Sequence, residues 1–120
     1  MATSSPAARE ADDARLDRVF RALGCSTRRA MLSRLVAGSA TVSELAEPFA
    51  ISLAGASKHL RVLEDAGLAS RSVDGRVRRC QLIVEPLRDA GAWIATYQPF
   101  WESTLDALAG YVSASDDTNR

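Results

Sequence analysis

Chemically reactive side chains are scarce in this chain of 120 residues. It has one histidine and two cysteines, Cys25 and Cys80, which lie far apart in sequence. No C-x-x-C, H-x-x-x-H or comparable cluster occurs, so no metal ligands and no cofactor are expected. The carboxylate pairs Glu85/Asp89 and Glu102/Asp106 have helical spacing and read as polar helix faces. There is no glycine-rich phosphate loop, and neither cysteine has a base near it in sequence, so no catalytic residue is expected and no enzyme. Apolar runs are only a few residues long, too short to span a bilayer. The opening MATSSPAARE lacks the apolar stretch of a secretory leader. Two cysteines without an export signal predict a reducing cytoplasm and no structural disulfide. An excess of one charge is also missing, since fifteen basic and fifteen acidic residues cancel.

The distribution of charge is more informative than its sum. Between Arg28 and Arg79 lie nine basic and five acidic side chains, whereas from Glu85 onward there are two basic and six acidic ones. A cationic middle and an anionic end suit a face for nucleic acid on one side and a different task on the other. The length allows one domain with a single core. That domain is expected over residues 11–114, between disordered tails at 1–10 and 115–120.

Hydrophobic spacing predicts mainly α structure. Leu16, Val19, Phe20 and Leu23 mark a helix from Asp12 that stops at Gly24. Ser26 is positioned to cap a second helix, about 27–37, with Ala30, Met31, Leu35 and Val36 inward. Thr41 and Glu44 form a T-x-x-E capping box. The helix it opens, about 42–49, buries Val42, Leu45, Ala46 and Phe49, and Pro48 distorts or ends its last turn. Ser52 caps a helix of about 53–66 that closes at Gly67, with Leu53, Ala56, Leu60 and Leu63 as its apolar stripe. Residues 68–73 and 76–83 read as strands around an Asp74-Gly75 type I′ turn. Helix resumes after Glu85-Pro86 and runs to about residue 113, with a kink or a split at Pro99.

Two constellations stand out. On the helix over 53–66, Ala54, Ser57, Lys58, Arg61 and Asp65 share the face opposite the leucines, and His59 flanks them. A solvated helix face is the plain reading. The capped helix and short turn just before it favour a recognition helix, whose short polar tips suit a major groove. In the hairpin, a two-residue Asp74-Gly75 turn would set Arg71 opposite Arg78. Like charges there weaken a sheet, which implies an external anion, although arginines also deter edge aggregation. Cys80 would point inward. Phosphate contacts are expected from Arg71, Arg76, Arg78, Arg28 and Arg29, and base choice from Ser57, Lys58, His59 and Arg61.

Five of the seven aromatics, Trp93, Tyr97, Phe100, Trp101 and Tyr111, fall in the terminal helix. Its apolar rows cover more than half its circumference and imply a partner helix, most simply from a second copy of the chain. A ligand pocket lined by the aromatics is the competing reading.

Three segments carry a family likeness: Ala22-Leu23-Gly24-Cys25-Ser26-Thr27-Arg28-Arg29, Thr41-Val42-Ser43-Glu44-Leu45-Ala46, and Ala56 through Leu68 with the core Ser57-Lys58-His59-Leu60. With Gly75-Arg76 and Phe100-Trp101-Glu102 they cover nearly the whole chain. From about Leu16 to Val112 it resembles the arsenical-resistance-repressor (ArsR) family of winged helix-turn-helix regulators. The likeness implies the order α1-α2-α3-α4-β1-β2-α5 with a two-stranded wing. It further implies a homodimer built from the first and last helices that sits on double-stranded operator DNA and represses transcription, often of its own operon. By position, DNA contacts would fall to Ser57, Lys58, His59, Arg61, Arg76 and Arg78. Dimer contacts would fall to Leu16, Phe20, Tyr97, Trp101, Leu105, Leu108 and Val112. The cysteine pair of metal-sensing members is missing from 42–49, and the terminal helix has no histidine, so the chain resembles a branch without metal ligands and no effector is named. Cys25-Ser26 replaces the Asp-Pro common at that place. The alternatives are a thiol- or metal-responsive repressor switched through Cys25 or Cys80, and a winged helix that binds only protein.

Overall fold

The computed structural model describes residues 5–118. Its elements are α1 (Pro6–Leu23), α2 (Ser26–Val36), α3 (Val42–Ala46), α4 (Leu53–Asp65), β1 (Ala69–Asp74), β2 (Val77–Leu82), α5 (Glu85–Ala95) and α6 (Gln98–Thr118). The chain divides into two compact units, residues 1–90 and 91–120.

In the first unit, Val19 and Ala22 of α1, Met31, Leu32 and Leu35 of α2, Leu45 of α3, and Leu60 and Leu63 of α4 close one core with Leu68, Ala69 and Cys80. The expected faces hold in α1 and α4 except at Leu53, which is 57% exposed. In α2 Met31 and Leu35 are inward as expected and Leu32 joins them, whereas Val36 is 71% exposed and Ala30 is also exposed. A single turn of helix offers adjacent positions to either flank, and only the packing partner selects between them.

Capping chemistry sets most boundaries. The Thr41 hydroxyl accepts from the Glu44 N–H at 3.1 Å, and the Glu44 carboxylate accepts from the Thr41 N–H at 3.5 Å and from its hydroxyl at 3.1 Å. The capping box is therefore formed. α3 ends at Ala46, before Pro48. Ser52 Oγ accepts from the Gly55 N–H at 3.1 Å and opens α4. α4 closes in a Schellman turn. The Gly67 N–H donates to the Glu64 carbonyl and the Leu68 N–H to the Leu63 carbonyl, both at 2.9 Å. Gly67 takes φ +74°, a conformation costly for any residue with a Cβ.

Four expectations need correction. α1 starts at Pro6, capped by Ser5, so it takes in half of the segment expected to be disordered over 1–10. Residues 1–4 lie outside the described residues. A proline in a first turn loses no helical bond and pre-sets φ, so it initiates here where it was read as an interruption. α2 is preceded by Cys25 at the cap position, and Ser26 is its first residue. The terminal helix divides into α5 and α6, one of the two outcomes expected at Pro99, and the split adds one element to the order that the family likeness implied. Pro99 has no N–H to offer the carbonyl four residues back, and it sits in the first turn of α6. α6 continues to Thr118, past the boundary expected near 113, and residues 119 and 120 of the expected tail lie outside the described residues.

The fourth correction is the wing register. β1 and β2 pair antiparallel with Asp74 opposite Val77, Val73 opposite Arg78 and Arg71 opposite Cys80. The two turn residues are therefore Gly75 and Arg76. Only Gly75 has positive φ, at +64°, which fits a type II′ turn and not the expected I′. Ala40 meets the two-stranded sheet in a single isolated bridge, exchanging hydrogen bonds with Cys80 at 2.7 and 3.1 Å.

Candidate nucleic-acid interface

α4 presents the face expected of it. Ala56, Leu60 and Leu63 are fully buried, and on the far side Lys58 and Arg61 are exposed while Ser57 and His59 are half-buried. α3 and the turn over 47–52 hold its N-terminal end, where residues 53–57 carry only one large side chain, Leu53. The backbone of that first turn can approach a groove floor.

The revised register redistributes the wing arginines. Arg71 does not face Arg78. It lies opposite Cys80, and its Nε donates to Glu64 Oε1 at 2.8 Å, tying β1 to α4. Arg78 moves one pair toward the tip, opposite Val73, and Arg76 occupies the turn itself. Both are exposed. Arg79 is half-buried opposite Ser72, on the side of Glu44. The like-charge clash that suggested an external anion is absent. The cationic tip remains.

Arg28 and Arg29 are engaged inside the molecule. Arg28 donates from Nε to the Ala22 carbonyl at 2.8 Å and from Nη2 to the Arg21 carbonyl at 2.9 Å, and its Nη1 lies 3.3 Å from His59 Nδ1. Arg29 donates to the Leu23 carbonyl at 2.7 Å. The orphan carbonyls at the end of α1 are thus satisfied by two guanidinium groups from the next helix, and Gly24, at φ −75°, makes no left-handed cap. Sequence reading missed this role. The available signal was a pair of arginines one turn into a helix that follows a very short connection.

The cysteines differ sharply. Cys25 is half-buried at the start of α2. The N–H of Arg28, then that of Thr27, then the charges of Arg28 and Arg29 hold its thiol below the usual range. Cys80 is buried, and burial pushes its thiol up. Among the described residues no group of three or more His, Cys, Asp or Glu could hold a metal ion. No described helix is long and apolar enough to cross a membrane.

In the second unit the apolar rows stand in the open. Tyr97, Trp101, Leu105, Leu108 and Val112 are each about half exposed, and Phe100 and Tyr111 more so. Trp93 and Tyr97 meet edge to face with ring centroids 5.2 Å apart. Leu16 and Phe20, expected beside them at a dimer contact, are partly buried against the core of the first unit.

Residues 23–71 match the protein family described as a helix-turn-helix domain. The chain is 36% identical to the HTH-type transcriptional regulator Rv2034 of Mycobacterium tuberculosis over 85% of its own length and 94% of the relative's. It is 32% identical to the transcriptional repressor SdpR of Bacillus subtilis, over 68% of its length and 91% of that protein's. Among solved structures, an ArsR family transcriptional regulator superposes with TM-score 0.69 at 43% identity, covering 86% of this chain and 98% of the other. The homodimeric winged helix-turn-helix DNA-binding domain Mb0332 from Mycobacterium bovis gives TM-score 0.63 at 25% identity, over 89% and 95% of the two chains. On these likenesses the chain belongs to the ArsR family of winged helix-turn-helix transcriptional regulators.

Proposed function

We propose that the protein is a repressor that binds double-stranded operator DNA as a homodimer, with α4 in the major groove and the wing on the flanking backbone. The observation that carries this reading is the exposed set Lys58, Arg61, Arg76 and Arg78. None of these four makes an ion pair among the described residues. Cations left without internal partners on a recognition helix and a wing tip suit phosphates and base edges. Ser57, Lys58, His59 and Arg61 read bases, and Arg76 and Arg78 hold phosphates. Arg71, Arg28 and Arg29 contribute chiefly by fixing α4, β1 and α1.

The repressor name of SdpR and the homodimeric state of Mb0332 support the two finer parts of the reading. Tyr97 and the exposed rows of α6, with Trp101, Leu105, Leu108 and Val112, give a second copy its contact. A two-fold pair would present two recognition helices to a palindrome about one or two helical turns apart. The protein works by binding and not by catalysis, in the cytoplasm, with residues 11–114 as the working regulator.

A gel shift on the duplex upstream of its own gene, paired with sedimentation analysis, tests this. A retarded band that survives excess random DNA, from a protein of twice the chain mass, is expected. A monomer indifferent to that duplex and to random DNA at low salt overturns it.

A further inference from the structure

We infer that Arg28 is a positioning residue for DNA recognition: it selects the tautomer of His59, so that the imidazole offers an N–H from Nε2 toward the duplex. The inference rests on the proposed DNA-binding reading and adds a chemical state to one residue of it. Arg28 sits in α2 and has all three guanidinium nitrogens engaged. Nε and Nη2 are fixed on the carbonyls of Ala22 and Arg21 at the end of α1, at 2.8 and 2.9 Å. Nη1 lies 3.3 Å from Nδ1 of His59 in α4. Guanidinium nitrogens donate and never accept, so this contact exists only if Nδ1 keeps its lone pair. The ring proton of neutral His59 then belongs to Nε2, for which no internal partner is found among the described residues.

The two carbonyl bonds make the donor rigid. A free arginine could follow the ring, whereas this one is held on α1 and imposes its geometry on α4. His59 lies between Lys58 and Leu60, at the edge of the face that carries Ser57, Lys58 and Arg61. From there an Nε2–H can reach a phosphate oxygen or an acceptor on a base edge, such as N7 of a purine, and can accept nothing while neutral. Arg28 thereby acts on DNA through His59 and touches no nucleotide.

The tautomer is read by nitrogen-15 spectroscopy of the imidazole in the full-length protein without DNA. A deshielded, unprotonated Nδ1 with a protonated Nε2 is expected in the wild type at a pH where the ring is neutral. Arg28→Lys, which keeps the charge but loses the fork, should mix the two tautomers, with the circular-dichroism spectrum of a folded chain as the control. Arg28→Lys should weaken the operator by about twofold, the loss when half of the rings hold the wrong tautomer, His59→Phe by about fivefold, roughly one hydrogen bond, and the double variant by no more than His59→Phe alone. A protonated Nδ1, an unchanged ring spectrum in Arg28→Lys, or losses that multiply in the double variant would overturn the inference. A correct tautomer in a protein that binds no duplex would instead overturn the DNA-binding reading, so the two failures are distinct.

Discussion

Arg71 in β1 donates to Glu64 in α4 at 2.8 Å, so the wing and the recognition helix are joined by an ion pair. The pair sets the base of the hairpin and leaves the arginines at its tip to the solvent. That division of labour among like residues makes the salt dependence of binding a direct probe of the interface.

Replacing Arg76 and Arg78 together by alanine should weaken all duplexes alike and flatten the logarithmic salt slope by about 0.9 for each lost phosphate contact. Arg71→Ala should change the slope much less. Fluorescence anisotropy at several salt concentrations measures both, and a slope indifferent to the tip pair would remove the wing from the DNA.

Substitution of Arg61 or Ser57 by alanine should behave differently. The loss, about 1–3 kcal/mol, should be confined to particular base pairs. Competition between the operator and single-pair variants of it reads this out. Equal losses on operator and random duplex would make these residues phosphate contacts only.

The capping box predicts an acid response. The Thr41 hydroxyl, then the Thr41 N–H, with Arg79 and Arg34 nearby, hold the Glu44 carboxyl below the usual range. Since the folded value is the lower one, the stabilising contribution is complete above the unfolded value of about 4.3 and disappears as pH falls through the folded one. Thr41→Ala should cost ~1 kcal/mol in urea denaturation near neutral pH. Its urea midpoint should also vary less than that of the wild type as the medium is acidified below about pH 4.3.

The exposed rows of α6 predict that Leu105→Asp yields monomers. A charge placed in an apolar contact loses its water without gaining a partner. Sedimentation velocity should show the chain mass, and operator affinity should fall with it because two half-sites no longer act together. A dimer of unaltered stability would place the contact elsewhere.

Thiol chemistry should separate the two cysteines. Cys25, its pKa lowered by the N–H groups at the start of α2, should be alkylated at neutral pH faster than an unstructured thiol. Cys80, buried and raised, should react only when the chain opens. Mass spectrometry after timed iodoacetamide treatment distinguishes them.

Much of this was legible from residues close in sequence. The Thr41 and Glu44 pair, Ser52, Gly67 and the i, i+3, i+4 leucines determine α3, α4 and their limits through bonds that span a few positions, so they can be read without any knowledge of the fold. The polar face of α4 follows from the same period. What only tertiary structure decided is where the long cationic side chains go. Arg28, Arg29, Arg71, Arg76 and Arg78 looked equivalent in sequence. Arg28 and Arg29 turn back to the carbonyls of α1 and Arg71 to Glu64, while Arg76 and Arg78 face solvent. An arginine reaches far enough to choose among several partners, and its choice depends on which carbonyls and carboxylates the packed helices bring within range. The hairpin register depended on the same step. Cys80 points inward in either register, so the alternation of side chains could not choose between them, and the turn lies at Gly75-Arg76, one residue from where local turn chemistry alone had put it.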